Sequence, residues 1–159
     1  MAKTLTDLPI SGFVAQEVAF PQLLDRLSEG ARDTVRQEVI EPAVNAEGFP
    51  GDGRFCLITV LGHSDRVDTA GLSAEQRRAQ ELDASDKRAT SAGTWVFEQI
   101  TAALTAAGQS PPASVEEATN FDIVLVPCGA AALVNLVPTS EAQRAQNRRV
   151  QFVISTFTP

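Results

Sequence analysis

Along the chain, apolar and polar residues alternate between two rhythms. Pro21 opens a stretch with apolar residues at Leu24, Leu27, Ala31, Val35 and Val39, the three-and-four spacing of a helix with one buried face. Gly30 weakens that helix by about 1 kcal/mol relative to alanine, and Pro42 bends or ends it. Gly48, Pro50, Gly51 and Gly53 mark a loop before Phe55 to Leu61, an almost unbroken apolar run suited to a central strand covered on both faces. A polar segment, 66–84, precedes a long helical stripe at Ala89, Ala92, Val96, Ile100, Ala103 and Leu104, with Gly108 placed to cap its end. Asp122 to Val126 forms a further strand stopped by Pro127. Ser140 with Gln143 matches a capping box for a short helix. Val150, Phe152 and Ile154 then alternate through a last strand.

Gly12 to Phe20 supplies a first strand, so residues 1–11 read as an N-terminal extension and 12–157 as one domain, with an insertion around 69–83. The order β-α-β-α-β-(α)-β defines an α/β fold: a two-layer sandwich on a mixed parallel and antiparallel sheet. No internal repeat or linker divides it.

Composition narrows the function classes. The chain has 159 residues, enough for one sizeable core, and 43% hydrophobic with 21% charged residues suits a globular protein. A net charge of −7 argues against nucleic acid as partner. No apolar run is long enough to span a bilayer, and no signal-peptide pattern follows Met1, so the chain as written reads as cytoplasmic; a missing leader would instead place it in the periplasm or at the cell wall. Cys56 and Cys128 form no CxxC motif and read as buried free thiols.

Enzyme readings fail on geometry. His63, Ser64 and Asp65 contain the three triad residue types, but consecutive strand residues face opposite ways and cannot relay a proton. One histidine and two distant cysteines make a poor zinc set, and Gly51-Asp52-Gly53 precedes a strand, the wrong order for a phosphate loop. Neither catalysis nor a cofactor is expected.

Three fragments are informative in combination: Gly62-His63-Ser64-Asp65 at a strand end, Ser85-Asp86-Lys87-Arg88-Ala89 at a helix, and Asn147-Arg148-Arg149-Val150 opening the last strand. In order, they resemble the signature of the outer-membrane protein A C-terminal family, whose members bind the bacterial cell wall without cutting it. The resemblance spans about Gly12 to Phe157. It implies a peptidoglycan-binding module that recognises the diaminopimelate of the stem peptide and anchors its assembly to the wall. Diaminopimelate presents an ammonium and a carboxylate on one carbon. By motif, Asp65 accepts the ammonium and Arg88 clamps the carboxylate, with Ser64 and Ser85 beside them. Gly62, His63, Asn147, Arg148 and Arg149 take structural or secondary roles; the two arginines are read first as fold-stabilising, one paired with an acid, and second as ligand contacts.

Two departures from the pattern matter. Asp65 and Arg88 lie 23 positions apart, longer than the family usually allows by roughly two helical turns. The insertion also holds a near-match, Leu72 to Ala79, that offers Arg78 as a rival clamp. Arg88 is preferred because Ser85 is placed to cap its helix. Glu81 stands where an asparagine is usual, adding a carboxylate that would repel the ligand and compete for Arg88. These departures sustain an alternative: a structural adaptor of the same fold among the subunits of a cytoplasmic assembly, such as a phage-tail-like contractile injection particle.

Overall fold

A computed structural model describes residues 1–159. Its centre is β2 (Phe55–His63), in which Cys56, Ile58 and Val60 are buried while Leu57, Thr59 and Leu61 are only half-buried. That alternation means helices cover one face of the strand. Although β2 is internal to the sheet, it is not covered on both faces as its apolar run suggested.

The sheet has four strands in the order β1-β4-β2-β3. β3 (Phe121–Pro127) runs parallel to β2, and β4 (Arg149–Thr158) runs antiparallel to both β2 and β1 (Ala2–Ser11). The helices pack on one face, giving the expected two-layer α/β sandwich with a mixed sheet. The core joins Ile58, Val60, Phe152 and Ile154 of the sheet to Val35, Val39, Val96 and Ile100 of the helices. Phe20 meets both Phe152 and Trp95 edge-on, with centroids 5.5 and 5.3 Å away.

The first strand is displaced from its expected place. Residues 2–11, read from sequence as an extension, pair with β4 from Ala2↔Thr158 to Ser11↔Arg149, and Gly12 to Ala19 is irregular. The edge position explains the misreading. An edge strand buries little, so its alternation is faint, and it tolerates Pro9. Gly12, at φ 119°, is where the chain leaves the sheet.

The first helical region is also less regular than its stripe suggested. It comprises α1 (Phe20–Asp25), α2 (Glu29–Val35), a π turn (Arg36–Ile40) and α3 (Glu41–Gly48). Ser28 starts α2 by accepting from the Ala31 N–H at 3.1 Å, which breaks the helix ahead of Gly30. The π turn ends two residues before Pro42, whose missing N–H and ring bulk disfavour an ordinary α turn there.

The long helix α4 runs from Ala74 to Ala106, 33 residues. Ser73, not Ser85, is its N-cap: the Ser73 hydroxyl accepts from the Gln76 N–H (3.1 Å), and the Gln76 side chain accepts from the Ser73 N–H (2.9 Å). Most of the polar stretch read as an insertion is thus helix, starting about four turns before the buried stripe. The stripe itself, Ala89, Ala92, Val96, Ile100 and Leu104, docks on β2 and β3 as its spacing indicated. The last helix, α5 (Glu141–Asn147), begins at the expected Ser140 cap. No helix is long and apolar enough to cross a membrane.

Candidate functional site

The carboxyl end of β2 opens into a cleft of about 760 Å³. Residues 64–69 at the strand end, the loop around Ala15 to Val18, α4 and α5 line it. α4 reaches the strand because Gly62 has no side chain. A Cβ there would fall 1.8 Å from the Ser85 carbonyl oxygen, so backbone meets backbone. Ser85 is fully buried at this crossing; its hydroxyl donates to Leu82 O and accepts from the Gly129 N–H, both at 2.9 Å. It secures β3's exit loop to α4 and does not cap a helix.

Arg88, one turn further along α4, lines the cleft but is only 1% exposed. Its Nε donates to Glu17 O (2.9 Å), Nη1 to His63 O (3.2 Å) and Nη2 to Ala15 O (3.5 Å). The guanidinium lies 5.0 Å from the Phe13 ring centroid. Burial, reinforced by the neighbouring Arg148 charge, pushes its pKa down to about 10, leaving it cationic at neutral pH. Of the five guanidinium N–H groups, these bonds leave one on each terminal nitrogen. Arg78 is exposed and lies outside the cleft.

Asp65 lines the same cleft and is 9% exposed. One carboxylate oxygen accepts from Asn147 Nδ2 and the other from Arg144 Nη1, both at 2.8 Å. Arg144 also donates to Asp68 (3.0 Å), and these two acids hold its guanidinium above its ordinary pKa. Glu81 accepts from the Val67 N–H at 2.9 Å, pinning the loop to α4. It makes no bond to Arg88, contrary to the expected competition. Ser64 lines the same cleft, is 4% exposed, and its hydroxyl has no protein partner.

His63 belongs elsewhere. Its Nε2 donates to Gln151 (3.1 Å), and Gln151 in turn donates to Asp7, forming a polar row across β2, β4 and β1. Burial and then the Arg149 charge lower the imidazole pKa to about 4. With His63 bonded to Gln151 and Asp65 to Arg144 and Asn147, no Ser–His–Asp relay exists. Asn147 bridges Asp65 to Asn135 O and accepts from the Asn135 N–H. Arg148 donates to Phe13 O and pairs with Glu141, while Arg149 donates to Asn147 O and Ala132 O. All three residues therefore hold loops around the cleft, and Arg148 also lines it.

Sequence reasoning missed Arg144. It lies in a seven-residue helix with no apolar stripe to give its direction, and its acids are 76 and 79 positions away. Only its position one turn before Asn147-Arg148-Arg149 hinted at proximity.

No family model and no curated protein matches this sequence. Among solved structures, the chain is similar to the cell wall anchor of the T6SS from Pseudomonas aeruginosa, with 17% identity over 98% of this chain and 82% of that one, at TM-score 0.41. It is also similar to the OmpA-like domain of FopA1 from Francisella tularensis, with 12% identity over 96% and 73% of the two chains and TM-score 0.46. The periplasmic domain of Helicobacter pylori MotB gives 15% identity over 97% and 76%, TM-score 0.43.

Proposed function

We propose that the chain is a non-catalytic peptidoglycan-binding module that takes the free end of a diaminopimelate stem peptide and anchors its assembly to the cell wall. The observation that carries this reading is the meeting of Asp65 and Arg88 in one cleft despite their separation of 23 positions. Asp65 receives the ligand ammonium. Arg88 offers its two remaining N–H groups to the carboxylate, and the partnerless Ser64 hydroxyl supplies a third polar contact. Ser85 acts behind this set by holding α4 against β2. Each charge-assisted contact contributes roughly 1.5–3 kcal/mol, so single-site binding is weak, on the order of millimolar to micromolar, and repeated copies along the wall strengthen it.

The test is sedimentation with purified diaminopimelate-type peptidoglycan. Wild type pellets, and Asp65→Ala stays in the supernatant at the same concentration. Because Asp65 is bonded twice, its loss removes both contacts and costs about 1–3 kcal/mol of stability, while Arg144 keeps Asp68 and Asn147 keeps Asn135 O; the assay therefore runs well below the variant's melting temperature. Equal pelleting of the two proteins would remove Asp65 from the site.

A second reading draws on a different observation. Asp65 and Arg88 already have internal partners, and the β3–α5 connection exposes Val134, Leu136 and Val137 at 58, 70 and 79%. These suit a structural adaptor docked onto other subunits of a cytoplasmic assembly such as a contractile injection particle. A wild-type protein that never pellets with peptidoglycan would favour it.

A further inference from the structure

We propose that Arg144 is an internal competitor for the ligand ammonium, occupying Asp65 when the cleft is empty and moving onto Asp68 when ligand enters. This rests on the peptidoglycan reading above and concerns the regulation of the same site.

Asp65 is the deepest carboxylate in the cleft, its side chain 8% exposed, while the Arg144 side chain bonded to it is 33% exposed. The arginine is thus the group standing between that carboxylate and solvent. Its 2.8 Å contact is of the charge-assisted kind an alkylammonium would make, with the same charge and the same oxygen. An incoming ammonium near an unmoved guanidinium would meet like-charge repulsion in a half-enclosed space, where water screens poorly.

The structure also supplies somewhere for the arginine to go. Its other terminal nitrogen is already 3.0 Å from Asp68, which is 53% exposed and lies on loop 66–73. Arg144 bridges the two acids, and breaking only the inner contact leaves it paired. Asn147 remains on the second Asp65 oxygen throughout, so the acceptor keeps its orientation while its cation is exchanged. Ligand entry therefore swaps one cation for another, and the gain from the new contact is reduced by the loss of the old one.

The experiment compares pelleting of wild type, Arg144→Gln and Asp68→Asn on diaminopimelate-type peptidoglycan, before and after acetylation of its free amines, with folding of each protein checked by its melting curve. Arg144→Gln should bind native peptidoglycan about fivefold more tightly, the fold-change equivalent of a partly exposed ion pair, and gain nothing on the acetylated material. Asp68→Asn, altered at an exposed residue, should bind more weakly, because Arg144 then has no second carboxylate to move to. Weaker binding by Arg144→Gln, an equal gain on acetylated peptidoglycan, or unchanged binding by Asp68→Asn overturns the competitor role while leaving the wall-binding reading intact. Absence of binding by all three proteins overturns both. Binding gained only in Arg144→Gln supports the competitor and shows that it keeps the wild-type cleft shut.

Discussion

Replacing Gly62 by alanine tests how closely the site depends on one backbone contact. The new Cβ would sit 1.8 Å from Ser85 O, 2.8 Å from Ser85 C and 2.9 Å from Ala89 N. All three are backbone atoms in the middle of a 33-residue helix, so no side chain can rotate to make room. Restoring an ordinary separation of 3.4 Å to the nearest atom requires α4 to retreat by 1.6 Å. A gap of that size forfeits much of the dispersion contact between the helix stripe and β2, and overpacking of this kind costs about 3 kcal/mol. For a domain of this length that corresponds to a melting temperature lower by about 6–12 °C. Gly93→Ala is the internal control. Its Cβ would meet Leu125 Cδ2 at 2.5 Å, the tip of a 40%-exposed side chain that can turn away, and alanine favours a helix interior by about 1 kcal/mol. Thermal melts by circular dichroism should rank wild type and Gly93→Ala together and Gly62→Ala well below. A Gly62→Ala melt within about 2 °C of wild type, or a Gly93→Ala protein less stable than it, would refute the reasoning.

Arg88→Ala should lose about 3–5 kcal/mol in urea unfolding, since it opens a cavity and strips three carbonyls of their donor; Arg88→Lys should recover little, because one ammonium cannot span those carbonyls or stack on Phe13. His63 has a folded pKa of about 4, below its ordinary 6.5, so the unfolded chain binds the extra proton between these values and stability falls as pH drops from 6.5 to 4. The total is on the order of 3 kcal/mol, and His63→Gln should flatten that part of a stability-against-pH curve. In native protein a thiol reagent at pH 8 should modify Cys128 and spare Cys56, whose pKa is pushed up to about 12 by burial; modification of Cys56 at an equal rate would contradict its packing.

Where the chain could be read from sequence, burial was strong and local. The α4 stripe and β4 carry their own periodicity, β2 and β3 are short apolar runs bounded by turn residues, and Ser140 is followed by the glutamine its capping requires. β1 was misplaced because an edge strand takes its conformation from β4, not from its own pattern. The start of α4 was misplaced for a different reason: its first turns rest on no core and are fixed by the Ser73–Gln76 capping box, which the sequence contains but which an apolar stripe does not announce. In the site, the strand-end motif and the helix arginine could be located because each is tied to a strong element. Arg144 could not, since its partners are set by the tertiary approach of α5 to loop 66–73.

The pairing of Ala2 with Thr158 puts both residues at the end of the strands opposite the cleft, which lies beyond Ser11, His63 and Arg149. Tension between a terminus and a ligand held in the cleft would therefore run along the strands. A pull on the Ala2 end loads the hydrogen bonds between β1 and β4 sideways and together, as rungs in shear, and a pull on the Thr158 end loads those between β4 and β2 in the same way, so that in each case they must fail collectively. Drawing the two termini away from each other would instead peel β1 from β4 one rung at a time. The same sheet is thus stiff as a tether and weak as a splice, and its mechanical strength depends on which points are pulled.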